Sequence, residues 1–139
     1  MAGEEPGADG LTWLEPDQLG EALALWRAEH PEGTVLELRG ERAADRSAFF
    51  DEAATAWSLP SWFGRNWDAL YDALNDLSWL DRPACLLVVH RADRLLRDSP
   101  EQREVLLRVL ADASRRWADN PGPGTFTTLL VTDGDTAGG

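Results

Sequence analysis

Lysine is absent from this 139-residue chain, and cysteine, tyrosine and methionine each occur once. All 13 basic residues are therefore arginine, set against 25 acidic ones, for a formal net charge of −12. That balance repels phosphate backbones and anionic lipid surfaces, which argues against direct nucleic-acid or membrane binding and favours capture of a basic partner. The lone thiol, Cys85, closes no internal disulfide and anchors no clustered metal site. It lies in the apolar run Ala84–Val89 and reads as a buried structural thiol. No apolar run approaches the ~20 residues that span a bilayer. Met1–Gly10 is acidic and Gly/Pro-containing, unlike a secretory signal, so a cytoplasmic protein is expected. Catalytic patterns are missing too. No glycine-rich phosphate loop follows a predicted strand, and the two histidines, His30 and His90, join no Ser/His/Asp or Cys/His arrangement. Neither an enzyme nor a bound cofactor or metal is expected.

What the chain does have is an ordinary apolar share of 43%, enough for one domain with a real core. Three β-branched or apolar runs read as strands: Thr34–Arg39, Ala84–His90 and Thr125–Thr132. Leu11–Leu14 is a candidate fourth, edge strand. Val88 and Val89 stand in a continuous apolar run, as in a strand covered on both faces.

Helical patterns separate these runs. The first, Pro16–Glu29, places Leu19, Ala22, Leu23 and Trp26 at core spacing, and Gly33 ends its connection to the next strand. Asp45 is a plausible N-cap for a second, in which Phe49, Phe50, Ala53 and Trp57 recur before Pro60 stops it. Asn66 caps a third, through about Leu77. The fourth starts at Ser99 and Pro100, with Gln102 completing a capping box, and turns Leu106, Leu107, Leu110, Ala113 and Trp117 inward. Strands alternating with helices imply parallel pairing, so the expected fold is α/β: a small three- to four-stranded parallel sheet packed with helices. The ends, Met1–Gly10 and Thr132–Gly139, read as disordered tails around a single domain over 11–131.

On a helical wheel, Leu70, Ala73, Leu74 and Leu77 share the core face of the third helix. Asp68, Asp72 and Asp76 fall opposite at i, i+4, i+8, flanked by Trp67 and Tyr71. One reading is an ordinary solvated face. Against it, no Lys or Arg occurs from Asn66 to Leu80, so like charges repel by ~0.2–0.5 kcal/mol per pair without compensation. Asp76 also sits where the helix dipole disfavours an anion. The last helix, by contrast, intersperses Arg103, Arg108, Arg115 and Arg116. Uncompensated carboxylates beside aromatics suit a surface whose counter-charges arrive on another molecule.

The string LPSWFGRNWDALYDALNDL, Leu59–Leu77, resembles the signature of the barstar family of ribonuclease inhibitors. There a Leu-Pro, two aromatics, a glycine, a variable residue and Asn-x-Asp-Ala-Leu-aromatic-Asp lead from a loop into the inhibitory helix. The resemblance runs from about Thr34 to Val131, leaving 11–33 as an added βα element of longer members.

It implies roles position by position. Trp62 and Phe63 match the loop aromatics, the first of which contacts the enzyme, and Gly64 allows the turn that leads to Asn66. Asp68 and Asp72 match the aspartates that meet active-site cations, with Asp72 in the phosphate-mimicking position. Tyr71 stands where an interface tryptophan is usual, and Asp112 where a glutamate adds an ion pair. Arg65 replaces an acidic residue of the best-known member, and Asp76 adds a charge where that member has glycine. The resemblance thus implies an acidic helix that blocks a basic, barnase-like ribonuclease or related toxin, carried by a chain that is monomeric when free. The alternative is a binding module of the same fold, or an immunity protein, with a partner that is not a ribonuclease. The inhibitor reading requires Asp68 and Asp72 to face outward and to lack arginine partners of their own.

Overall fold

The computed structural model describes residues 11–59, 63–76, 84–119 and 124–132. Four strands form one sheet: β1 (Leu11–Leu14), β2 (Thr34–Arg39), β3 (Ala84–His90) and β4 (Thr125–Val131). Their spatial order is β1-β4-β3-β2, and every neighbouring pair is parallel. The register sets Leu38 beside Val89, Val88 beside Leu129 and Leu14 beside Val131. The expected edge strand is β1. Thr132, where the expected last strand and C-terminal tail overlap, donates its N–H to the Leu14 oxygen at 2.9 Å and so stays attached to the sheet.

The helices are α1 (Leu19–Glu29), α2 (Arg46–Ala56), α3 (Trp67–Asp76) and α4 (Pro100–Asp119). β3 is buried over all but His90 because its two faces serve two cores. Cys85, Leu87 and Val89 join Leu36, Leu38, Phe126 and Leu130 under α2, α3 and α4. Ala84, Leu86 and Val88 face the other way, with Leu14, Leu129 and Val131. Trp26 is the buried residue that α1 contributes to this smaller core, with Leu19, Ala22 and Leu23 partly buried around it.

Local signals worked unevenly. Asp45 caps α2 as expected, accepting the Ala48 N–H at 2.8 Å. That helix ends at Ala56, with left-handed Ser58 (φ 52°) turning the chain before Pro60, which lies outside the described residues. Pro16–Gln18 is a tight 3-10 turn rather than the first turn of α1, closed by a capping box between Glu15 and Gln18. The box expected at Ser99 is not formed. The Ser99 N–H donates to Leu96, and the Gln102 side-chain oxygen accepts from Trp67.

The loops leaving β2 and β3 are fastened together. A Cβ on Gly40 would lie 2.2 Å from the Arg91 oxygen, so only glycine lets the two backbones approach this closely. Leu96 and Asp98 then donate to the Ala43 and Ala44 oxygens at 2.7 and 3.0 Å, fixing the start of α2 against the approach to α4.

Candidate partner-binding site

The acidic helix is fixed from both ends. Asn66 Oδ1 accepts the Ala69 N–H at 2.7 Å, and its Nδ2 donates to the Gly64 oxygen at 3.3 Å, so this residue caps α3. Leu70, Ala73 and Leu74, all 0% exposed, seat the helix on the main core; Leu77 lies outside the described residues. Trp67 was expected at the boundary of the two faces but turns inward, with its ring 5.5 Å from Phe49 and 4.8 Å from Phe50. Its Nε1 donates to Gln102 Oε1 at 2.7 Å, tying the first turn of α3 to α4. At the far end Trp117 Nε1 donates to the Leu74 oxygen, also at 2.7 Å. That bond occupies one of the carbonyls a helix leaves without an internal partner in its last turn.

With the apolar face so held, Asp68, Asp72 and Asp76 are all exposed. Among the described residues neither Asp68 nor Asp72 has an ion pair or hydrogen bond. Tyr71 is half-buried at the edge of the core beside them.

Three expected site residues stand differently. Phe63 is 8% exposed, 6.0 Å from Phe50, so it anchors the loop from beneath and offers no open surface. Gly64 is not the left-handed residue of the turn. Arg65 is, at φ 56°, and its guanidinium pairs with Asp51 of α2. Asp112 is already paired with Arg115 one turn along α4, which removes it from the uncompensated carboxylates. Trp62 lies outside the described residues.

Sequence reasoning missed the inward Trp67, the Trp117 tether and the Asp51–Arg65 pair. For the two tryptophans the signal was available. Both lie at core spacing, and a buried indole needs an acceptor for its N–H.

Elsewhere the chemistry is quiet. Burial pushes the Cys85 thiol from its usual 9.0 up to about 12, so it stays protonated. His90 Nε2 lies 2.8 Å from Glu37 Oε1 of the neighbouring strand. Among the described residues no cluster of three or more His, Cys, Asp or Glu has metal-binding geometry, and no helix is long and apolar enough to cross a membrane. A groove of about 440 Å³ opens between α1 and the sheet, lined by Leu14, Ala22, Leu25, Trp26, Leu86 and Leu129. It lies on the side of the sheet away from the acidic helix and shares no residue with it.

A capped helix seated on an α/β sheet, exposing Asp68 and Asp72 from its outer face, is the arrangement expected of the Leu59–Leu77 motif. The family model of barstar, the barnase inhibitor, matches residues 33–128. The chain belongs to the barstar family. The match takes in every element from β2 through α4 and most of β4, and so contains the whole acidic helix. β1 and α1, which form the sheet's edge and cover its second face, precede it. A search among curated proteins gave no match.

Proposed function

We propose that this barstar-family chain inhibits a basic, barnase-type ribonuclease by inserting the outer face of α3 into the enzyme's cationic cleft. A ribonuclease active site gathers cations to hold phosphate and stabilise its transition state. Asp72 takes the phosphate position in this reading, and Asp68 pairs beside it. Trp62 and Tyr71 shield the charges from water, while Asp76 extends the acidic edge. The carrying observation is that Asp68 and Asp72 are exposed without a partner among the described residues, on a helix whose other face is locked by the core and two indole hydrogen bonds. A surface helix gains nothing from such spacing, since like charges at i, i+4 destabilise it by ~0.2–0.5 kcal/mol per pair.

The net charge of −12 accelerates encounter with a basic enzyme, and buried charge pairs then slow dissociation. Charged interfaces of this kind, among which barnase with barstar is a standard case, lose most when one partner of a desolvated pair is removed. In this role the protein acts by occupancy and turns over no substrate. A helix capped by Asn66 and tied to α4 at both ends suits that role.

The test is titration of barnase activity with the wild-type chain and with Asp72→Ala, followed by purification of the complex. Stoichiometric inhibition by wild type, and a loss of at least ~2 kcal/mol of binding in the variant, are expected. Equal inhibition by both proteins would reject the role given to Asp72. Tight binding to a toxin that is not a ribonuclease, with barnase ignored, would favour the immunity-protein alternative.

A further inference from the structure

The turn that leads into the acidic helix carries a cation. Arg65 is the residue before the helix cap Asn66 and three before Asp68, a backbone reach of at most ~11 Å. Its placement is fixed twice over. The backbone is left-handed at φ 56°, uncommon for a residue with a side chain, and the guanidinium pairs with Asp51 on α2. Asp51 and Arg65 are both more than half exposed, so the pair stays in view of an arriving molecule. Backbone strain and a cross-element ion pair converge where an ordinary loop needs neither.

From these facts the geometry points to Arg65, held by Asp51, as the selectivity residue of this surface. It disfavours targets whose rim is basic at this corner and favours those that are neutral or acidic there. The inference rests on the reading of α3 as an inhibitory helix. A basic cleft approaching Asp68 and Asp72 brings its rim within about one screening length of Arg65, whose charge is offset in part by Asp51 because both side chains stay more than half exposed. Such a rim charge acts on the association rate and its salt dependence more than on dissociation. Asp51 keeps the guanidinium turned towards α2, so Asp68 remains available to the partner.

Barnase is the probe, and association is followed by stopped flow at low ionic strength and at about 0.5 M salt. Arg65→Glu should bind about three- to ten-fold faster than wild type at low salt, with the gap closing at high salt. Arg65→Gly removes one charge instead of reversing it and relieves the left-handed backbone. Its rate should lie between the other two, and its Tm should rise by about 3 °C. Equal rates for wild type and Arg65→Glu, or a slower Arg65→Glu, would overturn the inference, the latter by making Arg65 a favourable contact. Asp72→Ala is the control for the parent reading. If it loses inhibition while Arg65→Glu matches wild type, only the selectivity role fails. If it inhibits like wild type, or no variant binds barnase, the inhibitory helix fails and selectivity with it.

Discussion

Trp117 Nε1 donates to the backbone oxygen of Leu74 at 2.7 Å, so an indole ties the last turn of the acidic helix to α4. The first turn is held in the same manner by Trp67 and Gln102. Between these two points lie Asp68 and Asp72, on a helix that cannot roll without breaking one bond or the other. Removing either N–H while keeping an aromatic ring isolates this tether from the packing. Trp117→Phe should lower unfolding free energy by about 1–2 kcal/mol, since it leaves a sheltered carbonyl without its donor. Urea denaturation at constant m measures the loss. A midpoint equal to that of wild type would mean that water satisfies Leu74 just as well.

The same Trp117 ring sits against Gly124 at the entry to β4, where an added Cβ would lie 2.3 Å from Cζ3. Gly33, before β2, has the matching relation to Trp26, also at 2.3 Å. The two sites should nevertheless respond unequally to alanine. Trp117 is pinned by its hydrogen bond, whereas Trp26 Nε1 has no partner among the described residues and its ring borders the 440 Å³ groove under α1. A ring with room to shift relieves the clash; a pinned ring passes it to the backbone. Gly124→Ala should therefore cost about 1–3 kcal/mol, and Gly33→Ala distinctly less. Paired thermal melts of the two variants would show the order, and a larger loss at Gly33 would refute it.

The strands and helices were legible because their signals are local and repeated. β3 carries an unbroken apolar run, β2 alternates buried Leu36 and Leu38 with exposed Glu37 and Arg39, and α3 separates aspartates from leucines at a clear 3.6-residue period. Which groups would satisfy one another across elements was not legible. Ser99, Pro100 and Gln102 have the spacing of a capping box, yet the Gln102 oxygen goes to Trp67, 35 residues away, whose buried N–H needs it more. Phe63 and Trp67 look like binding aromatics when only their neighbours in sequence are counted. In the fold, Phe49 and Phe50 on α2 draw both into the core. Arg65 reads as a free rim charge until the turn brings Asp51 to it. The aspartates were predictable for the opposite reason: their outward position follows from the apolar face of their own helix.

The single cysteine makes the alkaline limb of stability a clean measurement. Burial raises the Cys85 thiol from 9.0 to about 12, and nothing else contributes to that shift. Below pH 9 folded and unfolded chains both keep the proton, so the contribution is fully present. Between pH 9 and about 12 the unfolded chain releases its proton while the folded chain holds it, and stability falls by at most ~1.4 kcal/mol per pH unit. Cys85→Ala should flatten that limb while lowering stability at pH 7 through lost packing. Native protein should also resist thiol reagents at pH 8, with labelling following global unfolding in urea. Rapid labelling of the folded chain would contradict a buried thiol.

Asp72 offers the sharpest separation of what a residue does for the fold from what it does for a partner. In the free protein it stands between Asp68 and Asp76 at i, i+4 on both sides, with no protein cation of its own among the described residues. Asp72→Asn preserves shape and removes one charge. It relieves the like-charge pair with Asp68, so the free protein should gain about 0.2–0.5 kcal/mol at low ionic strength, less as salt is added. Against barnase the same change should weaken binding by about 2 kcal/mol or more, mainly through faster dissociation, because the facing cations are left buried without a full counter-charge. Denaturation and inhibition would thus move in opposite directions for one isosteric substitution. If both fall together, the carboxylate is holding the helix in place and its outward position serves the fold. If stability rises and inhibition is unchanged, the row of aspartates is repulsion that no partner relieves, and the inhibitory face must be sought elsewhere on the molecule.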